Sequence, residues 1–257
     1  MENSEVEKAA VKRPFYRHDP TASIIVVILV FFVSQVVAGV IVSVYPSLKN
    51  WTSDQGSAWL QNSVVAQFFY ILLAEFFSVW IVLMLLKAQR IVKARIGLVR
   101  PALHDVVYAL GGYVAYFAAY LAIIIIASRF SDFINVDQAQ KVGFESAAGG
   151  QLGLVFLSLV VLPPIAEEIM FRGFLFTSLR QKFRFRSAAI FTSLLFGIAH
   201  LQFGSGAPLL WVAALDTFTL SVVLCYLREK TGSLWPSIML HAIKNSVAFF
   251  ALYHLKF

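Results

Sequence analysis

Residues suited to acid–base chemistry lie together inside an apolar stretch of the chain. Glu167 and Glu168 are adjacent, and Arg172 follows Glu168 by four positions. On a helix, Glu168 and Arg172 share one face with the acid placed N-terminally, the favourable order for an ion pair. Glu167 points about 100 degrees away and has no partner in its own helix. A buried carboxylate without a partner suits a general base, so we predict that Glu168 neutralises Arg172 while Glu167 does chemistry.

Two later apolar segments contain further polar residues. His200 follows Phe196 by four positions, and His241 and Asn245 are also four apart, hence on one helical face. Both side chains of the second pair can donate hydrogen bonds, which an oxyanion needs, although a neutral histidine donates from only one ring nitrogen. We therefore predict a hydrolase in which Glu167 and His200 hold and deprotonate a water. His241 and Asn245 would receive the negative oxygen of the attacked carbonyl.

A catalytic zinc ion is an alternative for the same residues. Two histidines and one carboxylate match the ligand count of a catalytic zinc site. The HExxH spacing of many membrane zinc proteases is absent, so we favour direct attack by water without a metal or other cofactor. The same polar side chains would also serve as hydrogen bonds between helices, a purely structural role.

Two other nucleophile candidates are assigned structural roles. The one cysteine, Cys225, lies in an apolar run, which favours a buried, inert thiol. Gly204-Ser205-Gly206 lacks the GxSxG spacing of serine hydrolases and is interpreted as a turn.

The elements that position these residues are membrane helices. The 257 residues are 59% hydrophobic and 14% charged, against about 25% charged in soluble domains, and the mean hydropathy is +0.76. We predict an all-α, polytopic transmembrane bundle over residues 22–257, with one span kinked at Pro163-Pro164. Seven spans are expected, or eight if the kinked element forms two pieces. They lie at about 22–45, 61–86, 106–128, 151–179, 187–203, 208–227 and 234–255.

The positive charges indicate how the bundle is oriented. The net charge is +7, and the basic residues cluster in the tail of residues 1–21 and at 87–100, 180–186 and 228–230. The positive-inside rule then predicts a cytoplasmic N-terminus and an outside C-terminus. This placement requires no nucleic-acid partner. The first apolar run is too long and too far from the start for a cleaved signal peptide. A multi-pass protein of a bacterial plasma membrane is the expectation.

Other intramembrane residues receive packing roles. Glu75 and Asp216 lie within spans, and we predict that each is a structural partner of a buried cation such as Lys244. A stripe of small residues on the third span is expected to mark close helix packing. Its members are Gly111, Ala115 and Ala119.

Three motifs in sequence order resemble one protease family. Glu167-Glu168 with Arg172 matches EExxxR, Phe196 with His200 matches FxxxH, and His241 with Asn245 matches HxxxN. This pattern is similar to the CaaX prenyl endopeptidase and bacteriocin-processing family, also called the Abi or CPBP intramembrane proteases. The motifs occupy residues 151–250, and the first 150 residues resemble the family only as membrane spans.

The resemblance implies both a fold and an activity. It implies an eight-helix membrane fold with a cavity open to the cytoplasm, and a water activated by Glu167 and His200. It implies oxyanion donors at His241 and Asn245, with Glu168, Arg172 and Phe196 in supporting positions. The family is often labelled metalloprotease, whereas its best-understood member looks metal-independent, in agreement with the preference for direct attack by water. The expected substrate is a peptide or protein that enters from the cytoplasm or the bilayer and is cut near its C-terminus or the membrane interface.

The rival interpretation comes from a different class of function. A non-catalytic membrane protein for bacteriocin self-immunity or scaffolding would keep the polar residues only as contacts between helices. A transporter would be expected to contain inverted repeats, and none is visible in the sequence.

Overall fold

The structure is a computed structural model that describes residues 19–130, 143–144, 147–201 and 209–255. Its regular elements are all helical. Eight main helices follow each other as α1 (Ala22–Leu48), α2 (Ser53–Asn62), α3 (Val64–Ala88), α4 (Leu103–Ala127), α5 (Gly149–Leu179), α6 (Phe185–Ala199), α7 (Trp211–Thr231) and α8 (Trp235–Phe250). The all-α fold is therefore confirmed. Residues 1–18 of the predicted tail and the Gly204-Ser205-Gly206 turn lie outside the described residues.

Seven of these helices correspond to the predicted spans. Among the described residues, α1, α3, α4, α5 and α7 are long and apolar enough to cross a membrane. The remaining two, α6 and α8, contain 15 and 16 residues, and α8 continues as a π-helical segment over Ala251–Leu255. The protein is thus a multi-pass membrane protein with a helical bundle.

The second span starts later than the sequence indicated, at Val64 rather than residue 61. Thr52 begins the separate short helix α2 with a reciprocal cap, in which its hydroxyl accepts from the Gln55 amide and the Gln55 side chain accepts from the Thr52 amide. Ser63 is extended, which ends α2, and its hydroxyl caps α3 by accepting from the Ala66 amide. Side-chain caps of this kind satisfy the free amides at a helix start.

The double proline widens α5 without dividing it. A π-helical turn occupies Leu157–Val161, directly before Pro163 and Pro164. The Leu159 carbonyl would accept from residue 163 in an α-helix and from residue 164 in a π-helix, and neither proline has an N–H to give. The side-chain amide of Asn245 on α8 supplies the missing donor, with Nδ2 at 2.9 Å from the Leu159 oxygen. The predicted kink therefore takes the form of a widened turn that is tied to α8.

The centre of the bundle is the second half of α5. All nine residues of its π-helical segment Glu168–Phe176 are buried. Side chains from α1, α3, α6, α7 and α8 pack around it. The EExxxR motif thus lies on the most enclosed segment of the described chain.

The close-packing prediction for the third span was wrong by one residue. Gly111, Ala115 and Ala119 are exposed, and nothing lies within 4 Å of the position of a Cβ on Gly111. The close approach is made at Gly112, where a Cβ would lie 2.6 Å from the Leu240 side chain of α8. Small residues occupy both faces of this helix, so their spacing alone does not identify the packed face.

Candidate active site

The fully buried ring of Phe196 on α6 is the centre around which the motif residues meet. The Arg172 guanidinium lies 4.4 Å from the ring centroid. The imidazole of His200 lies at 4.7 Å and that of His241 at 5.9 Å, measured between ring centroids. Helices α5, α6 and α8 are thereby brought together by one aromatic side chain. An aromatic face also stabilises a neighbouring cation electrostatically.

Glu168 and Arg172 form a fully buried ion pair. Glu168 Oε1 and Arg172 Nη1 are 3.0 Å apart, and both side chains are 0% exposed. The pairing predicted from their spacing is confirmed. Each charge depends on the other, because an isolated charge at this depth is strongly destabilising.

His241 lies between the two glutamates. Its Nδ1 is 3.1 Å from Glu168 Oε1, whereas its Nε2 is 3.8 Å from Glu167 Oε2. An ionised carboxylate can only accept, so Nδ1 carries a proton and donates it to Glu168. The first contact is a hydrogen bond and the second is too long to be one. A neutral His241 consequently has no proton on Nε2, and this nitrogen becomes a donor only when the ring is doubly protonated.

Glu167 presents a carboxylate oxygen that no neighbouring donor occupies. Its Oε2 is buried without a hydrogen-bond partner among the described residues, and its side chain is 20% exposed. The ion pair of Glu168 with Arg172 leaves Glu167 outside it, as the helical geometry predicted. Glu167 is therefore positioned to accept a proton.

The end of helix α6 positions His200. Gly197 allows α6 to approach α7 closely, because a Cβ at this position would lie 2.9 Å from the Ala214 carbonyl oxygen. The helix ends at Ala199, and His200 Nδ1 lies 2.7 Å from the Phe196 carbonyl oxygen. A carbonyl only accepts, so Nδ1 donates and Nε2 keeps its lone pair. No hydrogen bond or ion pair joins His200 to Glu167 in the described part of the chain, so any joint action requires a bridging water.

Asn245 already uses one of its two amide hydrogens. Nδ2 donates to the Leu159 carbonyl that the prolines leave without a donor. The second Nδ2 hydrogen is the one that can serve an oxyanion. The sequence suggested the donor role but not this anchoring contact, which arises from the distant residues Pro163 and Pro164.

Glu75 and Asp216, the two intramembrane acids outside the motifs, have different environments. Asp216 Oδ2 is 2.8 Å from Lys244 Nζ, and the Tyr116 hydroxyl donates to Asp216 Oδ1, so the predicted partnership with Lys244 is confirmed. The prediction was wrong for Glu75, which makes no ion pair with a cation among the described residues. From helix α3, an ionised Glu75 would repel an ionised Glu167. The sequence signal was present, since Glu75 is the one acid in a 25-residue apolar helix.

The described residues do not fit a zinc ligand set. No three histidine, cysteine, aspartate or glutamate side chains converge in this part of the chain in a way that could hold a metal ion. His241 Nδ1 is committed to Glu168, and no third ligand joins Nε2 and Glu167 Oε2 among the described residues. Cys225 is buried, as expected, and is not part of such a group.

Comparison with known proteins identifies the motif-bearing segment. Residues 149–247 match the family described as "Type II CAAX prenyl endopeptidase Rce1-like". The matched segment begins with α5, ends within α8 and contains all three motifs, so the resemblance inferred from the motifs is confirmed. These residues are therefore similar to the Rce1-like family.

One curated relative is similar to the chain over a segment about as long as the one that matches the family. The chain is 31% identical over 93 residues to a Bacillus subtilis protein named "Putative membrane peptidase YdiL". The similarity covers 36% of this chain and 35% of that protein, so the chain matches about a third of the relative's length. No solved structure matches the chain.

Proposed function

We propose that the protein is an intramembrane endopeptidase that uses water to cut a peptide bond near the C-terminus or membrane interface of a peptide or protein. The observation that carries the proposal is the placement of His241 between the paired Glu168 and the free oxygen of Glu167. The similarity of residues 149–247 to a protease family supports it. The substrate would reach the site from the cytoplasmic side or from the bilayer of a bacterial plasma membrane.

Two acceptors are available to activate a water. Glu167 Oε2 has no partner, and His200 Nε2 has its lone pair free because Nδ1 donates to the Phe196 carbonyl. A water that donates to both atoms would have its oxygen lone pair directed at a substrate carbonyl carbon. As the new C–O bond forms, Glu167 takes one water proton. When the C–N bond breaks, this proton passes to the departing amine nitrogen, which balances the reaction.

Two donors are available for the oxygen that becomes negative. The second hydrogen of Asn245 Nδ2 is one, and His241 Nε2–H is the other when the imidazole is doubly protonated. The Glu168 carboxylate offsets part of the cost of burying that charged ring, a cost to which Arg172 and Lys244 add. Preorganised donors of this kind stabilise an oxyanion more than they stabilise the ground-state carbonyl.

Glu75 enters the proposal as a neutral neighbour of the base. The four acids of the site are Glu75, Glu167, Glu168 and Asp216, whereas Arg172 and Lys244 are paired with the last two. Two adjacent unpaired carboxylates in a low dielectric do not both remain charged. The base role proposed for Glu167 requires that it be the ionised member of the two, with the proton on Glu75.

A non-catalytic role in immunity or scaffolding is the second candidate, and the anchoring contacts favour it. A continuous buried network joins Arg172, Glu168 and His241. Asn245 donates the hydrogen bond that the Leu159 carbonyl would otherwise lack. Contacts of this kind would be kept even in a protein without an activity. Such a protein would tolerate Glu167→Gln, which preserves shape and hydrogen-bonding capacity.

Mass spectrometry of newly formed peptide termini separates the two candidates. Membranes would be compared from cells that make, at equal levels, the wild type, Glu167→Gln or the matched control Asp54→Asn, whose carboxylate is exposed on α2. The peptidase proposal expects a set of termini in the wild type and control that is missing with Glu167→Gln. Identical termini in all three would remove the peptidase proposal and leave the structural role.

A further inference from the structure

The C-terminal end of α3 forms a groove that lies apart from the candidate active site. Helix α3 ends at Ala88, and Arg90 takes the left-handed conformation with φ of 57°. The chain then doubles back, so that the Ile91 amide donates to the Leu86 carbonyl at 2.9 Å. The returning segment and the helix end enclose a groove of about 560 Å³.

The groove has an apolar floor and a positively charged mouth. Trp80, Leu83 and Met84 contribute to the floor, and Lys87 follows them on the same face of α3 at helical spacing. The mouth is lined by three cations, namely Lys87, Arg90 and Lys93. Trp80 and Met84 are about half exposed, so the floor is accessible from the surrounding bilayer. This combination suits a ligand with an acyl chain and an anionic head.

The three cations have no ionic partners in the part of the chain that the structure describes. None of them makes an ion pair or a side-chain hydrogen bond with the described residues. Two other surface cations are paired, with Arg180 held by Glu229 at 2.8 Å and Lys182 by Asp19 at 3.1 Å. Arg90 also stands in a backbone conformation that favours glycine or asparagine. The mouth therefore holds three uncompensated positive charges beside an apolar surface.

We propose that this groove binds one anionic phospholipid. The lipid phosphate accepts charge-assisted hydrogen bonds from Lys87, Arg90 and Lys93, and an acyl chain lies along Trp80, Leu83 and Met84. Basic pockets beside apolar helix surfaces bind anionic headgroups in this way. A zwitterionic headgroup is bound less well, because its own cation opposes the three basic side chains. The proposal is independent of the peptidase activity.

Native mass spectrometry of the full-length protein in a neutral detergent tests the proposal directly. The protein is titrated with phosphatidylglycerol or with phosphatidylcholine of the same acyl chains. The wild type is expected to retain one phosphatidylglycerol in preference to phosphatidylcholine. The triple variant Lys87→Gln, Arg90→Gln, Lys93→Gln is expected to bind phosphatidylglycerol roughly 100-fold more weakly, since each basic side chain contributes about 1 kcal/mol at an anionic surface.

A matched triple variant removes the same charge elsewhere. Arg184→Gln, Arg186→Gln and Lys230→Gln change exposed cations outside the groove, and this protein is expected to bind phosphatidylglycerol like the wild type. Trp80→Ala, which removes part of the floor, is expected to weaken phosphatidylglycerol binding while leaving the melting temperature unchanged in lipid-free detergent.

Three results would overturn the lipid site. One is equal binding of phosphatidylglycerol by the groove variant and the wild type. Another is an equal loss in the matched control, which would show a response to net charge only. The third is displacement of phosphatidylglycerol by an equal concentration of inorganic phosphate, which would show that the acyl chain contributes nothing.

Discussion

The long helices before residue 131 and those after residue 148 differ in how much of their surface the protein itself covers. In the most apolar stretch of α1, α3 and α4, 22%, 22% and 17% of residues are buried inside the protein. The corresponding values are 50% for α5 and 56% for α7. Lipid tails are as apolar as leucine, so the outer faces of the first group need no protein cover. The charged motif residues require that cover, and the contrast shows where polar chemistry can persist in a membrane.

Glu75 is the exception that connects the two regions. It belongs to the lipid-facing group by its helix, α3, yet it interacts with Glu167 on the enclosed helix α5. The first region thus packs around the segment that contains the motifs, and its Glu75 acts electrostatically on Glu167.

The largest effect on stability is expected from Arg172→Met. The substitution leaves Glu168 as an uncompensated charge at 0% exposure, so the free energy of unfolding should fall by about 3–5 kcal/mol. Arg180→Met is the matched control, because it breaks a partly exposed pair with Glu229 and should cost only about 0–1 kcal/mol. Denaturant unfolding in detergent measures both. Equal losses would contradict the distinction between the enclosed and the exposed surfaces.

Two leucine truncations compare the regions directly. Leu224→Ala on α7 removes a fully buried side chain and should cost about 2 kcal/mol or more in lost packing. Leu110→Ala on α4 changes a side chain that is 53% exposed and should shift the free energy of unfolding by less than about 0.5 kcal/mol. Denaturant unfolding in detergent measures both changes in the free energy of unfolding. A cost for Leu110→Ala as large as that for Leu224→Ala would show that α4 is covered by a partner.

A double-mutant cycle separates the two roles of Asn245. Asn245→Ala leaves the Leu159 carbonyl without a donor and should cost about 1–3 kcal/mol of stability. Pro163→Ala restores a backbone N–H that can donate to the same carbonyl, so Asn245→Ala should cost less in that background. Cleavage activity should not recover in the double variant, because the oxyanion donor is still missing. Recovery of both stability and cleavage activity in the double variant would show that Asn245 serves only to anchor the Leu159 carbonyl.

The smallest effect is expected from Glu75→Gln. If Glu75 is the protonated neighbour of Glu167, a neutral amide of the same shape should lower the cleavage rate by less than about tenfold, well below the about 10²–10⁴-fold loss for a catalytic base. The measurement is the rate of cleavage at a site identified from the newly formed peptide termini. A loss as large as that for Glu167→Gln would make Glu75 itself a proton-transfer group.

The sequence allowed the contacts within one helix to be predicted, but not those that depend on distant residues. The spacing of Glu168 and Arg172 is enough to predict their ion pair, because it is fixed by helix geometry. The Asn245 contact with Leu159 could not be predicted, since it depends on the turn that α5 forms around two prolines. The face of α4 that packs at Gly112 also depends on its neighbours, so a stripe of small residues gave the wrong side.

The protonation of His241 shows the same limit at the candidate site. The sequence places His241 and Asn245 on one face as donors, but it does not reveal that Glu168 accepts from Nδ1. This single contact changes what the ring can do, because a neutral His241 then has no second proton for an oxyanion. Long-range packing of α5 against α8 decides this chemistry.

The most direct test of the account is the cleavage rate of the purified, full-length protein in lipid vesicles on a peptide that spans an identified cleavage site. Wild type, Glu167→Gln and Asp54→Asn would be compared, with melting temperatures measured to confirm that all three are folded. If Glu167 is the base, Glu167→Gln should melt like the wild type and cleave about 10²–10⁴-fold more slowly, while Asp54→Asn should be unaffected. A folded Glu167→Gln protein that cleaves at the wild-type rate would contradict the assignment of Glu167 as the base.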